Sequence, residues 1–471
     1  MSLNVSVTYI ASRGLGGGMS VATFALLARA YGPTGYAEVA LAIAAALFLA
    51  SVAFGPLRAA LARFFAADGD DPPALANVFY RIAAAIILLG LGCAGLWIRH
   101  AEVIVAAALL AVAQGAFDYA VQHATSAFAP RRVGLLYVTK STLAMIAAIV
   151  ILCLGAPAWC AVGSLALSGA IAVALHGSGA LSHRWTRLAT FGRDRLRKLA
   201  AFAAPLAVVA AFVFCAQWAD RAVVGAQLGA RSFGAYVAIA DLTQQLLGML
   251  FSGIGAAWYP RIVQASSEGN ETEVDRLFLR YVTLTWALLV PAVVGLAAVA
   301  PSLSMVVFGA GFRIESGFWI PLLAVGAGFA GMKAFLIDLP LFLRKQMVLH
   351  AAIVVSAAVA STTLALLLVP SFGAQGAAAA YCTATLIGGV SSLVAGRSAS
   401  RVLPDRRTFT GVFLGCAAML TTTLTLVGPS VPQLVIAVGA GAAAHVAVLW
   451  LMNVSDARSA SRRFSGLLRQ R

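Results

Sequence analysis

The chain reads as an all-α integral membrane protein of about fourteen transmembrane helices: two six-helix bundles and a C-terminal helix pair. Three observations lead there. Of 471 residues, 61% are apolar and only 11% are charged, with a mean hydropathy of +0.91. A soluble globular chain is nearer half apolar and a quarter charged. Apolar runs of about twenty residues, each long enough to cross a bilayer as a helix, recur along almost the whole length. Lys and Arg collect in alternate connections between those runs, as a membrane orientation requires.

Taken in order, the spans fall at about 8–30, 36–57, 79–98, 102–124, 133–154, 158–180, 203–228, 234–256, 279–300, 318–342, 348–369, 374–395, 409–427 and 431–452. The first run has no basic residue ahead of it and carries Arg13 within it, which does not fit a cleavable signal peptide. The connections after even-numbered spans hold most of the 33 Lys and Arg. They include Arg58, Arg63 and Arg81; Arg131, Arg132 and Lys140; and Arg184, Arg187, Arg193, Arg195, Arg197 and Lys198. Further along come Arg261, Arg276, Arg280, Arg344, Lys345, Arg397, Arg401, Arg406, Arg407 and the basic tail. The other face has Arg99, Arg231 and Arg313, with Arg29 close by. By the positive-inside rule the crowded face is cytoplasmic and carries both termini. The net charge of +16 is therefore topological, and it does not indicate a nucleic-acid partner. The longest polar connection, about Tyr259 to Phe278, is too short to be a domain.

An offset of 198 brings 36–63 onto 234–261, matching Ala37, Val39, Leu49, Gly55 and Arg63 with Ala235, Val237, Leu247, Gly253 and Arg261. The turns "YGPTGY" and "LGARSFGAY" occupy equivalent places, as do "APAWCAVGSLALSGA" and "SFGAQGAAAAYCTAT". The period is six spans, an even number, so both copies enter the membrane in the same sense. They should be related by an axis along the membrane normal, with a site between them. The division expected is 1–181 for the N-terminal lobe, 182–201 for a cytoplasmic linker, 202–402 for the second lobe, and 403–471 for an added helix pair and basic tail.

Catalytic and metal-binding signatures are missing from the sequence. "RGLGGGMS" lacks the GK[ST] of a phosphate loop and reads as close helix packing through small residues. The six cysteines lie in or beside apolar spans without a CxxC pair, and the six histidines show no ligand spacing. Cys153 and Cys160 flank one short turn, where a disulfide is an alternative to small core residues.

Two stretches carry a resemblance: "ALLARAYGPTGYAEVALAIAAAL" (25–47) and "FAAPLAVVAAFVFCAQWADRAVVGAQLGARSFGAYVAIADL" (202–242), with "VVFGAGF" (306–312) in support. The second has a proline near its start, an Asp-Arg pair, and a Gly-bearing turn leading to G-x-Y. From about Ser12 to Gly396 the chain resembles the polysaccharide flippases of the multidrug, oligosaccharidyl-lipid and polysaccharide exporter superfamily. The resemblance implies a rocker-switch transporter without an ATPase, in the bacterial inner membrane. It would carry undecaprenyl-pyrophosphate-linked glycan units from the cytoplasmic to the periplasmic leaflet, with a sodium or proton gradient as its drive and a polysaccharide polymerase as a possible partner. The runners-up are a multidrug antiporter and a peptidoglycan-precursor flippase of the same superfamily. A membrane polymerase or ligase is disfavoured by the short outer connections.

Polar residues inside apolar spans are expensive and mark sites by default. Gln217, Asp220 and Arg221 share one helix face, as do Asp241, Gln244 and Gln245; Gln114, Asp118 and Gln122 form an i, i+4, i+8 stripe. Lys333 lies near the midpoint of its span, and Asp338, five residues on, should point about 140° away from it on an α-helix. On this reading Arg13, Arg221 and Lys333 attract a pyrophosphate, and Asp118, Asp241 and the glutamines bind sugars or a coupling cation. Asp220 with Arg221, or Asp241 with Arg221, as a structural ion pair is the competing reading.

Overall fold

A computed structural model describes residues 3–68, 73–127, 129–177, 193–309, 312, 319–344, 346–396, 402–428 and 430–454. The backbone is helical almost throughout, and no strand occurs among the described residues. In chain order the helices are α1 Leu3–Asp68, α2 Pro73–Leu96, α3 Ala101–Ser126, α4 Pro130–Leu154 and α5 Ala158–His176. They continue with α6 Arg193–Ser267, α7 Glu271–Phe308, α8 Trp319–Met332, a π-helical segment Lys333–Ile337, and α9 Leu339–Leu343. The last three are α10 Met347–Gly396, α11 Arg406–Leu426 and α12 Val431–Leu451.

Eleven helical stretches among the described residues are long and apolar enough to cross a bilayer. Three of them, Leu15–Leu61, Gln217–Gly255 and Val348–Gly396, have 47, 39 and 49 residues, about twice the length one crossing needs. Each breaks at a single glycine of positive φ: Gly32 (66°), Gly229 (80°) and Gly373 (58°). A side chain is strained there, and glycine is not. The turns read from sequence as several residues therefore shrink to one. In α6 the consequence is measurable. Arg221 and Asp241 would be about 30 Å apart on a straight helix at 1.5 Å per residue, yet their side chains meet at 2.7 Å. The two arms must run back along each other.

The expected polar connection at Tyr259–Phe278 is mostly helix, because α6 runs to Ser267 and α7 begins at Glu271. Local chemistry explains the difference. Gly269 takes a left-handed φ of 71° and ends α6, and the Asn270 side chain accepts from the Glu273 amide to start α7. Arg276 then pairs with Glu273 one turn on, at 2.7 Å.

The chain forms two compact units, Met1–Trp218 with Leu228–Ala238, and Ala219–Gln227 with Ile239–Arg471. In the first, α1 packs on α3 and α4, and α3 on α5. An aromatic run, Phe54 on Phe79 on Tyr119, ties α1, α2 and α3 together at centroid separations of 4.6 and 5.8 Å. In the second, Tyr281, Val282, Leu336, Ile337 and Leu339 are buried against one another.

The C-terminal pair belongs to the second unit, and its attachment has a specific cause. Pro291 lies inside α7 and has no N–H for the Ala287 carbonyl four residues back. His445 of α12 supplies the missing donor: its Nε2 lies 3.1 Å from that oxygen, and a carbonyl can only accept. Gly415 of α11 makes room for the ring, since a Cβ there would collide with Nδ1. His445→Leu should strand the buried carbonyl at a cost of about 1–3 kcal/mol. Pro291→Ala restores the N–H, so the same substitution should cost much less in that background. Thermal midpoints of the four proteins in detergent give the coupling directly; simple additivity would rule out the replacement of one donor by the other.

Candidate functional site

In the first unit the polar stripe of α3 turns toward α1 and α4. The Asp118 carboxylate accepts from the Gln114 amide at 3.0 Å and lies 3.7 Å from an Arg58 guanidinium nitrogen. The Lys140 ammonium donates to the other end of Gln114 at 2.6 Å and sits over the Phe117 ring, 4.3 Å from its centroid. Four side chains on three helices thus form one continuous string, Arg58–Asp118–Gln114–Lys140. Arg58, Gln114 and Asp118 border a cavity of about 210 Å³, whose other walls are Leu47, Ala50, Ser51, Phe54, Gly55 and Phe214. Gln122 lies outside this string and donates to Ser126 on its own helix at 3.2 Å.

The sequence pattern assigns Arg58 and Lys140 to topology alone, and the structure draws both into the polar cluster. Lys140 does carry a signal. It lies about seven residues inside the apolar run 133–154, too deep for a loop residue. For Arg58 no comparable signal exists, because its partner is on another helix.

The second unit gathers the residues around the α6 turn. Arg221 is 2% exposed; one guanidinium nitrogen meets Asp241 at 2.7 Å and another donates to Gln244 at 2.9 Å. Tyr381 of α10 hydrogen-bonds the same Gln244, and Asp220 acts on it electrostatically. Asp220 is fully buried. Of the two ion pairs that the sequence allows, Asp241 with Arg221 is the contact formed across the turn. Gln245 is half-buried and Gln217 is exposed. Arg13 is in α1, and its side chain lies outside the described residues.

Lys333 and Asp338 correct a geometric expectation. On an α-helix they would diverge, but Lys333–Ile337 is π-helical and the Asp338 amide donates five residues back, to the Lys333 carbonyl, at 2.9 Å. The wider turn brings residues i and i+5 onto one side. The Lys333 ammonium then donates to Asp338 at 2.8 Å, and His350 Nδ1 lies 3.5 Å from the same carboxylate oxygen. Tyr281 stabilises the distortion by donating its hydroxyl to the Phe335 carbonyl at 2.6 Å. Lys333 and Asp338 are therefore partners on one helical stretch.

Among the described residues no group of three or more His, Cys, Asp or Glu could hold a metal ion. Cys153 and Cys160 are free thiols.

A family profile described as "Polysaccharide biosynthesis protein" matches residues 97–313. A probable low-salt glycan biosynthesis flippase of Haloferax volcanii is 27% identical over 164 residues. That match covers 35% of this chain and 34% of the relative, about a third of its length. Among solved structures, a Lipid II flippase in an inward closed conformation superposes with a TM-score of 0.69 at 14% identity, over 96% of this chain and 99% of that one. An outward-facing multidrug resistance transporter of the MATE family, in the MOP superfamily, gives 0.54 at 14% identity, over 83% and 94%. A MOP superfamily transporter from Pyrococcus furiosus gives 0.55 at 13% identity, over 83% and 94%. At such identities these superpositions establish the fold alone: the all-helical, multi-pass architecture that these proteins share.

Proposed function

We propose that the chain is a polysaccharide flippase, which translocates undecaprenyl-pyrophosphate-linked oligosaccharide units from the cytoplasmic to the periplasmic leaflet by alternating access. The polysaccharide-biosynthesis profile and the glycan flippase relative support this reading. The observation that carries this reading is the string of two hydrogen bonds and one ion pair beside a cavity inside an apolar helical unit. A glycan headgroup must cross a layer where every unmatched hydroxyl is costly. A transporter for it needs polar groups at membrane depth, and those groups must be tolerable when no cargo is present. An internally paired string meets both needs. Its members satisfy one another in the empty protein and can exchange partners with sugar hydroxyls. The location proposed is the bacterial inner membrane with both termini cytoplasmic, supported by the crowding of basic residues on one set of connections. A sodium or proton gradient as the drive, and a polymerase as partner, are part of the same proposal.

A cation-coupled antiporter is the second reading, favoured by the likeness to multidrug transporters. It would need an acid open to a coupling cation. Asp118 and Asp241 both have an arginine within ion-pair distance, so a cation binding at either would have to displace a guanidinium. A gradient-driven flippase would need the same displacement, so the pairing bears on the coupling ion, and the polysaccharide-biosynthesis and glycan flippase matches are what favour the first reading.

Deletion of the gene tests the flippase reading in cells. Glycan units should still be assembled on the lipid carrier, but remain on the cytoplasmic side, and polymer should fall to a small fraction of the parental level. Complete glycan chains at normal abundance in the deletion strain, with no second flippase present, would overturn it.

A further inference from the structure

We propose that the cavity of the first unit is a subsite for one uncharged sugar ring, and not for the pyrophosphate. The proposal rests on the flippase reading above and assigns the part of the cargo that this cavity recognises. Its lining supplies the two kinds of surface that a pyranose needs. Phe54 of α1 and Phe214 of α6 are aromatic. Ser51, Arg58, Gln114 and Asp118 are polar. The C–H face of a sugar packs on an aromatic ring, and its hydroxyls suit planar amide, carboxylate and guanidinium groups.

Both aromatic walls are fixed before any ligand arrives. Phe214 has Phe48 edge-on at 5.3 Å and Trp218 stacked on it at 5.8 Å. Phe54 lies directly against the backbone of α3 beside Gln114, because Gly115 has no side chain; a Cβ there would collide with the ring. Next to Phe54 on α1, a Cβ at Gly55 would meet nothing within 4 Å, so the space opens there.

Charge separates a sugar from a phosphate. Among the described residues Arg58 is the one cation bordering the cavity, and it lies 3.7 Å from Asp118. Lys140 is engaged with the far end of Gln114 and is not part of the lining. A pyrophosphate entering this space would meet the Asp118 carboxylate with like charge, whereas a neutral polyol would find an acceptor in it. Asp118 is 34% exposed, enough to receive a hydroxyl.

The test uses purified full-length protein in detergent, with methyl α-D-glucopyranoside, methyl α-D-galactopyranoside, methyl α-D-mannopyranoside and sodium pyrophosphate as probes at matched ionic strength. Thermal midpoints are followed against concentration. Excluded sugars raise any midpoint gradually, so Ser51→Leu, which fills the cavity without touching the charged groups, serves as the reference. At least one hexoside should give a saturable rise in the wild type that is absent in Ser51→Leu and at least tenfold weaker in affinity in Phe214→Ala. Identical curves for wild type and Ser51→Leu with all three hexosides would overturn the subsite, as would a saturable rise with pyrophosphate that Asp118→Asn strengthens. Either result in a protein whose deletion strands glycan units sinks the subsite alone. Normal glycan in the deletion strain sinks the flippase reading instead.

Discussion

Arg221→Ala is expected to leave little folded protein in the membrane. Arg221 is 2% exposed, and its guanidinium bridges the two arms of α6 through Asp241 and Gln244. Truncation leaves the Asp241 carboxylate without its cation at membrane depth. Breaking a buried pair by removing one partner costs about 3–5 kcal/mol, a large share of the roughly 5–15 kcal/mol that holds a typical protein folded. Arg221→Lys should fall between, since a point charge cannot serve both partners as the planar fork does. Arg221→Met with Asp241→Leu removes both charges and should recover much of the yield. Fluorescence-detected size exclusion of a tagged protein, with its thermal midpoint, measures each case. A single alanine variant at wild-type yield and midpoint would show that the pair holds nothing together. From the sequence alone, Arg221 is either a phosphate contact whose loss should spare the fold or one end of a structural ion pair. Burial and pairing with Asp241 across the Gly229 turn favour the second.

The difference shows which inferences a linear sequence supports here. The bilayer forces backbone groups to bond within a segment and sets the length of each crossing, so helical class and the approximate spans are written in local hydropathy. The break at Gly229 is also visible, because only glycine takes that φ without strain. Gln114 and Asp118 can be paired from their spacing, since i, i+4 contact is a property of one helix. Arg58 and Lys140 cannot, because their contacts join different helices and no spacing encodes them. The Lys333–Asp338 contact escapes the sequence for a third reason. The 100° step of an α-helix does not apply where five residues adopt a π turn, and no residue in KAFLI announces that turn. Its support, the Tyr281 hydroxyl, comes from more than fifty residues earlier.

The same logic makes Asp338 a sharper target than Lys333. Asp338 is 2% exposed and its carboxylate faces both the Lys333 ammonium and the His350 ring. Asp338→Ala should lose folded protein about as severely as Arg221→Ala, because a nearly buried ammonium is left among apolar helices. Tyr281→Phe removes the hydroxyl under the π turn and should cost only about 1 kcal/mol, the net worth of one hydrogen bond. The decisive variant is the double substitution Lys333→Met with Asp338→Leu. Apolar residues of similar volume in place of a buried ion pair are often neutral or stabilising, so membrane yield and midpoint should return to near the wild-type values. Glycan export in the deletion strain then separates two roles for Lys333. If the pair only holds the helical stretch together, export returns with the folded protein, and this is the expected result. Full folded yield with export still below about one tenth of wild type would overturn that expectation and make Lys333 a contact for the cargo.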